Sequence, residues 1–229
     1  MNQKKQAGIK AAEYIKDGMI VGLGTGSTAK YAVDAIGEMV ANGLQIKAVP
    51  TSKATAEQAL SLNIPLLDIN EVEYIDVVID GVDEIDPQFN ATKGGGAALF
   101  REKIVASLGK EVIWIMDESK LVDRIGAFPL PVEILPYGYK VVYRQLEALG
   151  LNPQMRMNGE ELLVTDNGNY IVDLHTGVPV DIEDTKSKLQ GIVGVLETGQ
   201  FLQMCARIIV GTNEGVKVIE AKENSIDKY

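Results

Sequence analysis

Between Asp76 and Gly109 the chain reads DVVIDGVDEIDPQFNATKGGGAALFREKIVASLG. Asp80, Asp83, Glu84 and Asp86 crowd one turn, Lys93 stands before Gly94, Gly95 and Gly96, and Glu102 interrupts an apolar run. Carboxylates move protons, and a cation beside bare backbone amides is what a developing oxyanion needs. On a helix the neighbours of Glu102 at i−4, i−3, i+3 and i+4 are Ala98, Leu99, Val105 and Ala106, all apolar. Arg101 and Lys103 point elsewhere, since i±1 residues do not share a face. Desolvation in such a setting raises a carboxyl pKa toward the range of a general base. The competing expectation is a glutamate paired with a lysine across the fold. Asp80 ends the apolar strand YIDVVID and should face the crevice at the carboxyl edge of a sheet, with Gly81 allowing a sharp turn. Glu84 and Asp86 read as solvated loop acids, with Asp83 or Asp86 capping a turn.

A second constellation is GLGTGSTAK at 22–30. It lies between a predicted strand and a predicted helix, where Thr25, Gly26, Ser27 and Thr28 offer hydroxyls, close backbone approach and a helix N-terminus to a phosphate. The bland alternative is a tight turn whose hydroxyls cap the helix. The same residues satisfy G-x-G-x-x-A, a dinucleotide pattern, yet no acid follows the second strand to hold an adenosine ribose. Ser52 and Lys53 leave a 2′-phosphate cofactor open as a reading. In DESKLVD, after the fifth strand, Lys120 could neutralise a phosphate or be an ordinary surface residue.

The elements that must position these groups alternate. Helices are predicted at 4–16, from Ala29 to Asn42-Gly43, at 52–62 and at 97–108. Strands are predicted at MIVGL, LQIKAV, PLLDI, YIDVVID and EVIWIM. That alternation predicts an α/β fold, a Rossmann-like open, mostly parallel sheet covered on both faces. After the proline-rich FPLPVEILPYG come a helical run, KVVYRQLEALG, and hairpin signals in LLVTDNGNYIVDL with Asn-Gly at the turn. DIEDTKSKLQGIVGV reads as another helix and RIIVGTNEGVKVIE as a hairpin returning to the first sheet. The expected organisation is residues 1–130 plus 207–229 as the catalytic domain and 131–206 as a small inserted α+β, ferredoxin-like domain.

Composition bounds the function. The 229 residues, 46% hydrophobic and 24% charged, suffice for a full core. A net charge of −10 argues against a nucleic-acid partner. The single Cys205 permits no internal disulfide, which fits a reducing cytoplasm, and one Cys with one His, His175, cannot build a Cys/His zinc site. No apolar run approaches the ~18 residues of a membrane span, and the N-terminus lacks a signal-peptide core. His175, Cys205, Met204 and Trp114 read as packing or ordinary residues.

Four blocks in order, GLGTGSTA, DGVDEI, KGGGAALFREKI and DESK, make the chain similar to the A-type ribose-5-phosphate isomerase family from the first helix to the final hairpin. The resemblance implies that Thr25–Thr28, Asp80, Gly81, Val82, Asp83 and Lys93–Gly96 line a sugar-phosphate site. It also implies that Glu102 is the catalytic base and that Lys120 binds substrate. It implies interconversion of D-ribose 5-phosphate and D-ribulose 5-phosphate in the non-oxidative pentose phosphate pathway, with no metal or organic cofactor. A homodimer or homotetramer is implied as well. A non-catalytic phosphosugar sensor is the rival from another class, though no basic helix-turn-helix extension is seen at either end.

Overall fold

The computed structural model describes residues 2–221. In chain order the elements begin with α1 (Gln3–Ala12), β1 (Ile20–Leu23), α2 (Ala29–Ala41), β2 (Lys47–Pro50), α3 (Lys53–Ser61) and β3 (Ile75–Gly81). Then come β4 (Glu84–Ile85), β5 (Asn90–Thr92), α4 (Leu99–Ser107), β6 (Gly109–Asp117), β7 (Leu130–Ile134), α5 (Tyr139–Ala148) and β8 (Pro153–Met155). The chain continues through β9 (Met157–Asn158), β10 (Glu161–Leu162), β11 (Tyr170–Leu174), α6 (Ile182–Leu189), β12 (Val195–Thr198), β13 (Gln200–Leu202), β14 (Arg207–Thr212) and β15 (Gly215–Glu220). They form two compact units: residues 2–82, 101–121 and 202–221 in the first, 83–100 and 122–201 in the second.

The first unit is built on a six-stranded sheet in the order β15-β14-β6-β3-β1-β2. All neighbours run parallel except β15, which pairs antiparallel with β14. Parallel strands covered on both faces read as near-continuous apolar runs, as IVGL in β1 and VIWIM in β6 do. Val21, Leu23, Val77, Ile79, Ile113 and Ile115 meet Ala7, Ala11, Val33 and Ile36 of α1 and α2 in one core. Each fully buried Val, Ile or Leu there contributes about 1.5–3 kcal/mol relative to exposure. Alternate strand positions turn the other way. A Cβ on Gly22 would stand 2.8 Å from Val105 Cγ1 and 2.9 Å from Val78 Cγ2, so the missing side chain lets α4 approach β1. That approach sets the depth at which Glu102 is held.

PLLDI does not form the strand its apolar run predicts. Leu66 makes a single parallel bridge to Ala48, and a 3-10 turn over Ile69–Glu71 follows. Pro65 brings no N–H to a ladder, and the Asp68 carboxylate captures the Asn70 N–H at 2.8 Å, drawing the chain into a turn.

In the second unit β12-β7-β11-β8 form an antiparallel sheet, with β13-β5-β4 as a smaller one. Val132, Ile134, Val172 and Leu174 pack with Val142 and Leu146 of α5 and Leu189 of α6. The Asn167-Gly168 turn forms, but only Val164 bridges Tyr170 across it, and β10 pairs with β9 instead. Buried Glu133 accepts from Thr165 Oγ1 at 3.0 Å and Asn169 Nδ2 at 2.8 Å, which ties that turn to β7. Residues 83–100 and 122–130 group with this unit, outside the expected 131–206 span. Long-range pairing draws them there: Lys93 N–H donates to Gly199 O at 2.9 Å and Gly199 N–H to Pro131 O at 2.7 Å.

Candidate active site

Within the first unit the glycine turn is pinned from below. Asp80 is the penultimate residue of β3 and 1% exposed; its Oδ1 accepts the Thr25 N–H at 2.9 Å and the Gly81 N–H at 2.7 Å. The Thr25 hydroxyl is engaged with Thr51 at 2.7 Å and Ser52 at 2.9 Å. Thr55 Oγ1 closes the cluster on Gly24 O at 2.9 Å. Thr25 therefore shapes the turn through both its side chain and its N–H. Ser52 is buried and N-caps α3 through the Thr55 N–H, so its hydroxyl is committed, against the 2′-phosphate reading.

Gly26 and Ser27 are exposed where α2 begins. Thr28 is the N-cap residue but makes no side-chain capping bond, so the hydroxyls are not there merely to cap. Lys4 Nζ reaches from α1 to Ser27 Oγ at 2.9 Å. Burial would raise the carboxyl of Asp117, but the Ser119 hydroxyl and N–H, together with Lys4 and Lys120, hold it below the usual carboxylate range. The start of α2, the Ser27 hydroxyl and the Lys4 ammonium together suit a phosphate dianion. Sequence reasoning missed Lys4. A lysine in the first turn of a helix carries no local signal, and only the α1–α2 packing brings it to Ser27.

Glu102 lies in the first turn of α4 and is 4% exposed. Its i+3 and i+4 neighbours, Val105 and Ala106, are buried as the spacing predicts. Lys120 closes a 3-10 turn after β6 and is half-buried. Gly81 ends β3, and Val82 is buried beyond it.

The second unit holds Asp83 and the Lys93–Gly96 run. Asp83 N–H donates to Thr92 O at 2.9 Å, and Asp83 Oδ2 accepts the Gly95 N–H at 2.8 Å. A Cβ on Gly95 would lie 2.5 Å from Asp83 Oδ1, so only glycine admits this approach. Lys93 is 2% exposed, with Nζ 5.3 Å from the Phe201 ring centroid. That excludes a surface lysine on a loose linker. Gly94 adopts φ +105° and its carbonyl accepts the Ala97 N–H at 3.0 Å, leaving Gly95 and Gly96 exposed at the tip.

Glu84 and Asp86 are not the solvated acids the sequence suggests; both are buried. Glu84 accepts from Thr92 Oγ1 at 3.1 Å, Gly126 N–H at 2.6 Å and Phe128 N–H at 3.2 Å. Asp86 closes the β4–β5 turn through Gln88 N–H and Asn90 N–H, both at 2.9 Å. Glu84 thus satisfies backbone donors of the segment before β7, and Asp86 those of its own turn. Among the described residues no group of three or more His, Cys, Asp or Glu side chains converges as a metal ligand set. No described helix is long and apolar enough to cross a membrane.

Comparison with known proteins gives a consistent answer. The sequence pattern of the family described as Ribose 5-phosphate isomerase A (phosphoriboisomerase A) matches residues 47–215. Ribose-5-phosphate isomerase A of Enterococcus faecalis is 53% identical over 96% of this chain and 98% of its own length. The Streptococcus suis protein of the same name is 52% identical over 97% of this chain and 100% of its own. A structure of D-ribose-5-phosphate isomerase in complex with phospho-erythronic acid superposes with a TM-score of 0.90 at 38% identity, covering 96% of this chain and 100% of that one. Ribose 5-phosphate isomerase from Plasmodium falciparum does so with a TM-score of 0.90 at 36% identity, covering 96% and 98%. This chain, with its Rossmann-like α/β sheet, belongs to the ribose 5-phosphate isomerase A family.

Proposed function

We propose that this chain interconverts D-ribose 5-phosphate and D-ribulose 5-phosphate through an enediolate. The observation that carries the reading is a buried carboxylate, Glu102, in the same unit as a glycine turn flanked by Ser27, Lys4 and the start of α2. The relative bound to phospho-erythronic acid, a four-carbon acid phosphate, supports it.

The exchange moves one proton between neighbouring carbons, so it needs one base and a stabiliser for the oxygen that becomes negative. Glu102 takes the proton from carbon two of the open-chain sugar and returns it to carbon one. Lys93 and the nearby amides of the glycine loop stabilise the enediolate oxygen, while the Gly95 N–H holds the Asp83 carboxylate. Asp80 and Asp83 handle hydroxyl protons, including those of ring opening. Thr25–Thr28, Lys4 and Lys120 hold the phosphate, and Gly81 and Val82 line the sugar. No redox or metal step is required by this chemistry. The enzyme acts in the cytoplasm as a homodimer or homotetramer, with a small sugar phosphate as its ligand and no nucleic-acid or membrane partner.

The test is a coupled ribulose 5-phosphate assay on the full chain, run with and without a chelator. Turnover that survives chelation is expected. Tight sugar-phosphate binding with no product would replace the enzyme reading by a phosphosugar sensor.

A further inference from the structure

We propose that Arg156 is a positioning residue for this isomerisation, fixing the direction of the peptide groups in the Gly94–Gly96 loop. The inference rests on the reading of that loop as an oxyanion stabiliser. Arg156 follows β8, and Asp173 of β11 holds its guanidinium at two points: Nε donates to Oδ2 at 2.9 Å and Nη2 to Oδ1. The remaining side of the fork faces the loop. Nη1 donates to Gly94 O at 2.7 Å and to Gly95 O at 3.2 Å.

A trans peptide directs its N–H opposite to its C=O. Anchoring the Gly94 carbonyl on Arg156 therefore turns the Gly95 N–H away, and it meets Asp83 Oδ2 at 2.8 Å. Anchoring the Gly95 carbonyl turns the Gly96 N–H away in the same manner, at an exposed position. Three glycines in succession have the least intrinsic preference of any backbone. The Ala97 N–H shares the Gly94 carbonyl at 3.0 Å, and the charge-assisted bonds of one rigid guanidinium strengthen that hold and extend it to Gly95 O. A planar fork can grip a carboxylate and two carbonyls together; an ammonium group cannot keep that geometry. The Gly96 N–H, and the Asp83 carboxylate held by the Gly95 N–H, are thus aimed in advance; such groups matter most where charge develops, so their loss should weaken the enediolate state more than the ground state.

The test uses Arg156→Ala and Arg156→Lys in the full chain. It measures kcat, KM, inhibition by phospho-erythronic acid and by inorganic phosphate, and thermal unfolding. We expect kcat to fall ~10–100-fold, as for a misplacement of about 1 Å. Inhibition by phospho-erythronic acid should weaken by a comparable factor, and inhibition by inorganic phosphate should not change. Added guanidinium ion should restore part of the Arg156→Ala activity, and Asp173→Asn should cost little more in that background. A change confined to KM, or parent-like kcat and acid inhibition, overturns the proposal. Where Arg156→Ala does not fold, Arg156→Lys carries the same comparison. Failure of both to fold assigns Arg156 to sheet stability and also overturns it. A parent chain that does not isomerise would instead defeat the reading of the loop.

Discussion

Gly24 and Asp80 occupy nearly the same space: a Cβ on Gly24 would fall 2.1 Å from Asp80 Oδ1 and 2.5 Å from Asp80 Cα. The carboxylate lies under the turn because Gly24 has no side chain, and from there it accepts the Thr25 N–H. Gly24→Ala must displace either the turn or the acid. Overpacking of this kind costs about 1–3 kcal/mol, and a phosphate cradle shifted by about 1 Å costs ~10²-fold in kcat/KM. Urea unfolding and the coupled assay check both. Parent-like values on the two would mean that Asp80 does not set the turn.

Glu102 is the group on which turnover depends most directly. Glu102→Gln keeps the volume of a side chain that is 4% exposed on α4, but an amide does not accept a proton from carbon. Turnover should fall by ~10²–10⁴ while inhibition by inorganic phosphate stays at the parent level. Activity within a few-fold of the parent would remove Glu102 from the role of base.

The reasons that some of this was legible in the sequence are local. Glu102 announces itself because a helix places its neighbours at fixed offsets, and Val105 and Ala106 are buried as those offsets require. β1, β3 and β6 announce themselves because strands covered on both faces read as near-continuous apolar runs. Glu84, Lys4 and Arg156 were illegible for the opposite reason. Each draws its role from partners brought by tertiary packing: Gly126 and Phe128 for Glu84, Ser27 for Lys4, Asp173 and two loop carbonyls for Arg156. For Asp86 the partners are near in sequence, but a turn acid looks the same whether water or backbone surrounds it. PLLDI misleads because an apolar run does not say whether its N–H groups will find a ladder, and Pro65 has none to give.

Lys93 separates charge from bulk. It is 2% exposed beside Phe201, so Lys93→Met retains most of the apolar stem and removes the ammonium. Losing a cation aimed at a developing oxyanion should lower kcat by ~10²–10³. Removing one member of a buried charged contact is destabilising, so the comparison is with inhibition by inorganic phosphate, which should stay at the parent level in the folded variant. A loss of both would indicate a structural lysine.

Lys4 is predicted to serve binding and not the chemical step. Its ammonium donates to the exposed Ser27 hydroxyl at 2.9 Å, at the start of α2. Lys4→Met should raise KM about 10-fold, the scale of one charged hydrogen bond. It should leave kcat unchanged and weaken inhibition by inorganic phosphate by the same factor. A loss confined to kcat would place Lys4 outside the phosphate cradle.

The Asp117 carboxylate gives a stability prediction with a definite sign. Burial alone would raise its pKa, but the Ser119 hydroxyl and N–H, then Lys4 and Lys120, outweigh it and hold the folded value below the ordinary 3.8. A group depressed on folding stabilises the native state above its unfolded pKa, and that contribution disappears as pH falls through the folded value. Asp117→Asn preserves the cap on the Ser119 N–H, made at 3.0 Å in the parent, and removes only the charge. The variant should be less stable at neutral pH by well under 1 kcal/mol, because the group is largely solvated and screened. The difference from the parent should be constant from pH 7 down to about 5, then close progressively below 3.8. Urea unfolding of both proteins at stepped pH measures it, and a difference that widens toward acid would reverse the assignment.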